Sequence, residues 1–307
     1  MAEFVKIEED VSNILEIQFD HNAPMIKKLF EVISNPVPEF NLEIVNREQE
    51  DNESELSDTE DYESEDEYEE YEEPCKSYIK VVAVNPVGSI IINLKLYANK
   101  FEIFKCKKSR MYLGIHAATL YQALKHMDKE DILTLFVEQD NEDKLGIKIK
   151  SPLKNKETIT TINLVNIAKK EYSFPDIKFE TRMNIQTSEL HGTCKTLNEI
   201  GSYIQFSVIN NKFVCTCKGD FSDSMVEYID DGGDALTNSV VKIMHNENNV
   251  LNIVENVFDL HSINLFNKFT SLCDYIEIYF KQNYPIVFMY SVGTIGKIFV
   301  CHSPIKA

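Results

Sequence analysis

The chain has 307 residues and carries 31 Lys and Arg against 50 Asp and Glu, a formal charge of -19. A balance that negative argues against a protein that simply coats nucleic acid or anionic lipid. Apolar content of 43% with 10% aromatics excludes a wholly disordered chain. The charge is unevenly placed, however: residues 48–73 hold 16 acids and no base, which leaves -3 on everything else. The objection to a polyanionic partner therefore applies to that run and not to the remainder.

In chain order, residues 1–12 read as a charged extension. ILEIQF (14–19) alternates as a half-buried strand. Pro24 opens a helix that stacks Ile26, Leu29, Phe30 and Ile33 on one face. FNLEIV (40–45) and YIKVVAV (78–84) are strands on either side of the acidic run. That run cannot bury enough surface to order itself and is expected to be a loop. Strands SIIINLKLY and KFEIFKCK follow, then a helix over 117–127 with Leu120, Tyr121, Leu124 and Met127 as its stripe. DILTLFVE, KLGIKIK and ETITTINLV are further strands. Residues 166–176, containing Pro175, interrupt the pattern as a connector.

The order then repeats. IKFETRMN is a strand, and 187–201 is a helix with Thr187 or Ser188 as N-cap and Gly201 as its stop. YIQFSVI, KFVCTCK, DSMVEYI and VVKIMHN are strands. NVLNIVENV is extended or helical. A fourth helix is expected over 260–269, before three closing strands. Without the acidic insert, the first half (13–47 and 74–165) and the second (177–307) have near-equal length and equal element order, which predicts two similarly folded α+β domains, 13–165 and 177–307. The polar opening residues lack the apolar stretch of a secretory leader, so a reducing setting with free cysteines is expected. No apolar run is long enough to span a membrane.

The polar helix faces carry Lys27 and Lys28, then Gln122, Lys125 and His126, then His191 and Lys195, then His261 and Lys268. Lysine recurs on all four. The residues alone leave two readings open: ordinary solvated faces, or one surface that meets phosphates without sequence preference.

The stretch FEIFKCKKSRMYLGIHAATLYQALKHMDKEDILTLFVEQDNEDKLGIKI carries a resemblance. So do SELHGTCKTLNEIGSYIQFSV, LHSINLFNKFT and the closing YPIVFMYSVGTIGKIFVCHSPIKA. Together they resemble the sliding clamps of the proliferating cell nuclear antigen family. The resemblance covers 13–47 and 74–307. It implies two clamp domains per subunit, helices lining a channel, antiparallel sheets outside, and closure into a homotrimeric ring. It also implies an activity: encircling double-stranded DNA and tethering a DNA polymerase, with a clamp loader as a further partner.

Carried over by position, the DNA-facing residues would be Lys27, Lys28, Lys125, Lys195, Lys268, His191 and His261. Gln122, His191 and His261 depart from the family's pattern and make the channel less basic. The partner-peptide pocket would have Val84, Pro285, Cys301, Ser303 and Pro304 as floor and Tyr172, Phe174 and Pro175 as lid. Cys301 stands where the family has a tyrosine. The ring joint would use edges 157–165 and 223–229. A subunit of a heterotrimeric checkpoint clamp, and a monomeric polymerase accessory protein, are the alternatives. Location would be a nucleus, or a cytoplasmic replication site if the chain is viral.

Other chemistry finds little support. Cys215 and Cys217 have no second pair to complete a structural zinc site, and His116, His126, His245 and His302 form no nucleophile–base pattern. No phosphate-cradling glycine motif is present. The chain is expected to be no enzyme and to need no metal or cofactor. Ser57 and Ser64 in the acidic run resemble acidophilic-kinase sites.

Overall fold

The computed structural model describes residues 12–47, 77–169, 177–232, 240–245 and 253–305. The acidic run with Ser57 and Ser64, and the connector residues Tyr172, Phe174 and Pro175, lie outside the described residues.

The first half runs β1 (Asn13–Phe19), α1 (Ala23–Ile33), β2 (Glu39–Val45), β3 (Tyr78–Val84), β4 (Ile90–Tyr97), β5 (Ile103–Cys106), β6 (Arg110–His116), α2 (Ala117–Leu124), β7 (Ile132–Glu138), β8 (Lys144–Ser151) and β9 (Lys156–Asn163). The second runs β10 (Thr181–Gln186), α3 (Thr187–Leu197), β11 (Tyr203–Ile209), β12 (Lys212–Lys218), β13 (Asp223–Ile229), β14 (Val241–His245), β15 (Ile253–Asp259), α4 (Leu260–Asn264), β16 (Tyr275–Phe280), β17 (Ile286–Val292) and β18 (Gly296–His302). Both halves spell the same sentence: one strand, a helix, five strands, a helix, three strands.

The pairing repeats too. In the first half, β5-β1-β7-β8-β9 form one sheet and β6-β2-β3-β4 form one edge-to-edge run. In the second, β14-β10-β16-β17-β18 and β15-β11-β12-β13 are the counterparts. The halves meet where β18 pairs antiparallel with β4, from Gly296 opposite Leu96 to His302 opposite Ile90. That pairing fuses two runs into one nine-stranded sheet, β14-β10-β16-β17-β18-β4-β3-β2-β6. Strands from both halves alternate here: Ile90, Ile92 and Leu94 are buried on β4, as are Ile298 and Val300 on β18. Helices cover this buried face, as period-2 alternation requires.

The helices form one layer of their own. α1 packs on α2 and on the 3-10 turn Leu265–Ser271, which in turn packs on α3. Polar bonds cross from half to half within it: Lys28 Nζ donates to Ser271 O (3.2 Å) and Asn35 Nδ2 to Leu265 O (3.4 Å). Lys268 pairs with Glu31 at 3.7 Å.

Several local expectations are corrected. The fourth helix is α-helical only to Asn264 and then tightens to 3-10. Ile263, Phe266, Phe269 and Leu272 are all buried and spaced by three. A helix of 3.0 residues per turn keeps such a set on one face, whereas 3.6 would rotate it away. α3 is capped by Gln186, without a side-chain cap bond, and not by Thr187 or Ser188. Thr187 is buried as the first helical residue. Gly201 is not a left-handed stop: a Cβ there would meet Lys218 O at 2.5 Å, so close backbone approach requires the glycine. The helix over 117–127 ends at Leu124, with Lys125 as C-cap. The ambiguous 249–257 run is strand from Ile253 onward.

Gly296 tests the seam. A Cβ there would lie 2.1 Å from Lys95 O and 2.9 Å from Leu96 Cα across β4. Gly296→Ala should cost about 1–3 kcal/mol, the usual penalty of overpacking, read as a lower urea midpoint. His302, at the other end of the seam, is 1% exposed, sits edge-on to Phe258 and Phe266, and donates from Nδ1 to Ser303 O (2.8 Å). Burial holds its pKa below 6.5, so the unfolded chain takes up a proton that the native state refuses. Its contribution is therefore present above pH 6.5 and lost as pH falls below it. His302→Leu should flatten the decline in melting temperature over that acid range.

Candidate nucleic-acid interface and partner strip

α1 is positioned by burying Ile26, Leu29, Phe30 and Ile33, which leaves Lys27 half-buried and Lys28 exposed. Both lysines find carbonyl partners at the ends of neighbouring helical segments. Lys27 Nζ donates to Met127 O (2.7 Å), just past α2, and Lys28 Nζ to Ser271 O. Unpaired carbonyls at a helix C-terminus carry partial negative charge, which an ammonium offsets. Tyr121 on α2 faces Glu31 on α1; burial, then that carboxylate, raises its phenol pKa.

Lys125, Lys195, His261 and Lys268 are exposed on the same helix layer. Lys125 and Lys195 stand at the ends of α2 and α3. Lys28, Lys125, Lys195 and Lys268 are thus all exposed on elements of this layer, Lys28 donating to Ser271 O and Lys268 paired with Glu31. His191 is different. It is 4% exposed and lies under α3, its Nε2 3.2 Å from the Tyr290 hydroxyl with the two rings stacked. The expectation of a solvent-facing His191 is corrected: Leu190, Cys194 and Leu197 are buried too, so the apolar stripe is wider than leucine spacing alone suggested.

On the opposite face of the nine-stranded sheet, register brings the described pocket residues together. Val84 lies opposite Ile91, Ile91 opposite Cys301, and Cys301 opposite Val287. Four strands therefore contribute one apolar row across the seam, half-buried throughout. Pro285 precedes β17 and Ser303 and Pro304 follow β18, at the same end of the sheet. Burial pushes the Cys301 thiol up to about 11, so it stays neutral and serves as apolar floor. Exposed Tyr284 and Ile305 flank this end, and Ile305 N donates to Val257 O (2.8 Å), which ties the closing segment down. Sequence reasoning missed Ile91 and Val287. Strand alternation placed them on that face, but only the pairing partners reveal that they join the row.

The stretches expected at the ring joint, 157–165 and 223–229, fall on β9 (Lys156–Asn163) and β13 (Asp223–Ile229). β9 is an outer strand of its five-stranded sheet and β13 of its four-stranded sheet. β9 is exposed at most positions, and Ile159 (56%) and Met225 (61%) present apolar side chains on these edges. A groove lined by Ser188, Gly192, Thr196, Ser224 and Val226 runs between α3 and β13. Among the described residues, no helix is long and apolar enough to cross a membrane.

Two repeated α+β units, joined by one continuous sheet with the four described α-helices packed in one layer, define the fold of a DNA clamp subunit. Family comparison agrees. Residues 74–172 match the model described as Proliferating cell nuclear antigen, N-terminal domain, and 173–305 that of the C-terminal domain. The chain belongs to the proliferating cell nuclear antigen family.

Among its relatives is a mimivirus protein named "Probable DNA polymerase sliding clamp", 24% identical over 229 residues, 74% of this chain and 47% of that protein. The chain thus matches about half the length of that relative. The Caenorhabditis elegans proliferating cell nuclear antigen is 25% identical over 67% of this chain and 76% of its own. A Paramecium bursaria Chlorella virus protein named "Probable DNA polymerase sliding clamp 1" is 22% identical over 74% of this chain and 84% of its own. The crystal structure of the Entamoeba histolytica antigen superposes with a TM-score of 0.76 at 18% identity, covering 96% of this chain and all of that one. At that identity it speaks for the fold.

The two histidines separate a structural from a surface role. His191→Ala leaves the buried Tyr290 hydroxyl without this partner and should cost about 1–3 kcal/mol. His261→Ala, at an exposed site, should stay within about 0.5 kcal/mol. Chemical unfolding of both variants checks the contrast.

Proposed function

We propose that this chain is a subunit of a homotrimeric sliding clamp that encircles duplex DNA and confers processivity on a DNA polymerase. The observation that carries the ring is the internal repeat. β18 is to the second half what β9 is to the first, and β4 corresponds to β13. Within one chain β18 pairs with β4; the equivalent pair, β9 with β13, is left open at opposite ends of the subunit. A head-to-tail contact of that kind repeats the internal seam between copies and closes when the rotation divides the circle. The helix layer then lines the hole, with Lys125, Lys195, Lys268 and His261 toward DNA. Binding is topological and involves no bond chemistry, so weak, loosely arranged phosphate contacts suffice.

The apolar row at Val84, Ile91, Cys301 and Val287, with Pro285, Ser303 and Pro304 at its end, is the floor on which short partner peptides dock. Tyr172, Phe174 and Pro175 would be its lid. Extended or turned peptides that insert apolar side chains into such a row are a common recognition mode. A loader opens the ring, and the site of action is a nucleus or a viral replication compartment.

Light scattering at micromolar and nanomolar concentration tests the ring. A mass of three 35.4 kDa chains is expected; a monomer throughout would overturn the reading. Lys125→Ala with Lys195→Ala should keep the trimer but lower polymerase stimulation at physiological salt. Lys27→Ala and Lys28→Ala should instead loosen helix packing, because those ammonium groups already hold carbonyls.

A further inference from the structure

Across the internal seam the helix layer is held by three polar contacts. Lys28 Nζ donates to Ser271 O (3.2 Å), Asn35 Nδ2 donates to Leu265 O (3.4 Å), and Lys268 pairs with Glu31 at 3.7 Å. The internal repeat gives each of these residues a counterpart. α1 and α3 are both 11 residues long and end alike: the Ser34 N–H donates to Phe30 O and Val32 O, the Asn198 N–H to Cys194 O and Thr196 O. Ala23, Ile26, Phe30 and Ile33 thus correspond to Thr187, Leu190, Cys194 and Leu197, all buried. α2 and α4 start directly after β6 and β15, and β7 and β16 begin after equal intervals. Position by position, Lys28, Glu31 and Asn35 therefore correspond to Gly192, Lys195 and Glu199. Leu265, Lys268 and Ser271 correspond to Gln122, Lys125 and Asp128.

Strand register supports a β9–β13 joint built on the plan of the seam. Ile162 and His302 are the buried residues opposite Leu145 and Ile286, and Tyr228 and Leu96 those opposite Phe213 and Ile79. Phe299 pairs with Asn93 in the seam, so at the joint Ile159 falls opposite Met225. These are the exposed apolar side chains of the two edges (56% and 61%), and facing one another covers both. In the helix layer, by contrast, none of the three polar contacts is reproduced. Gly192 has no side chain to donate. Glu199 brings a carboxylate to a carbonyl, Gln122 O. The ion pair becomes Lys195 against Lys125, two ammonium groups. Both lysines are exposed, and neither has a hydrogen bond or ion pair among the described residues.

We propose, on the ring reading above, that each joint sets Lys195 of one copy against Lys125 of the next, so that like charge opposes closure and a phosphate group held between the two favours it. The site is incomplete in a single chain, because each copy supplies one of its two ammonium groups. Repulsion between exposed charges is modest and screened by salt, but it has the opposite sign to the Glu31–Lys268 contact at the same place in the seam. Lysine meets phosphate as a point charge in loose geometry, so an anion reached by both cancels the repulsion. A ligand that binds only the closed joint stabilises closure by mass action. The seam is held by its own side chains; the joint is held on its helix side by the anion it encloses.

The concentration at which the full-chain trimer half-dissociates, read by light scattering on dilution, tests this. Lys125→Glu and Lys195→Glu should each lower it several-fold, since each creates an opposite-charge pair like that of Glu31 with Lys268. The double reversal, Lys125→Glu with Lys195→Glu, should return it to the wild-type value. At fixed ionic strength, inorganic phosphate in place of chloride, or a short DNA duplex, should lower the wild-type value several-fold and move the single variants less. A shift by phosphate alone assigns the site to free phosphate, and a shift by duplex alone assigns it to the nucleic-acid backbone. A shift by neither, or one equally large in the single variants, overturns the anion site. Single reversals that leave the value unchanged or raise it overturn the pairing and leave the ring standing. So does a double reversal as tight as the singles, which traces the gain to lower total charge in the layer. Monomers throughout, in wild type and variants alike, overturn the ring and the pairing together.

Discussion

The pairing of β18 with β4 is the constraint on which the rest depends. It converts two repeated units into one nine-stranded sheet, and it sets the angle between them through the twist of that sheet. The helix layer follows from it, because α1 and the 3-10 turn at Leu265–Ser271 can exchange Lys28, Asn35, Glu31 and Lys268 contacts only if the sheets beneath them are joined. Gly296 and His302 mark the two ends of the pairing. One needs close approach to a backbone carbonyl; the other needs an apolar, neutral setting. The seam is thus a run of seven paired residues and not a linker alone.

The same geometry explains why so much of the fold was legible in the sequence. Period-2 alternation identified nearly every strand, since each has one buried face, and the repeat of element order followed from those strands. What could not be read was anything decided across strands or between helices. His191 looked like a polar-face residue because histidine is ambiguous on a helix; its burial depends on Tyr290, 99 residues away. The 3-10 tightening after Asn264 depends on two phenylalanines both reaching the core, a tertiary demand that overrides helix propensity. Gly201 looked like a stop but answers to Lys218 on another strand. The pocket floor was assigned by resemblance, and Ile91 and Val287 joined it only when register was known.

Charge placement has a comparable logic. Five lysines were expected on the helix faces, but they are not equivalent. Lys27 and Lys28 are engaged with carbonyls of neighbouring helical segments, and Lys268 is shared with Glu31. Lys125 and Lys195 extend into solvent from helix ends. The layer is therefore mildly basic, with some of its charge already neutralised internally. In the proposed ring that is the useful regime. Strong phosphate contacts would raise affinity at the cost of mobility, whereas an enclosed duplex needs only to be kept from touching acids.

The two faces of the central sheet make the final point. One face is apolar under helices, from Ile90, Ile92 and Leu94 to Phe288 and Tyr290, where alternation sets which residues are buried. The other changes row by row, from Val84, Ile91, Cys301 and Val287 at one end to Lys80, Lys95 and Lys297 four residues on. A formal charge of -19 contains neither row. The acids that dominate it lie in the sequence between β2 and β3. The net charge is thus a sum over surfaces of different chemistry, and strand register is what separates the two rows.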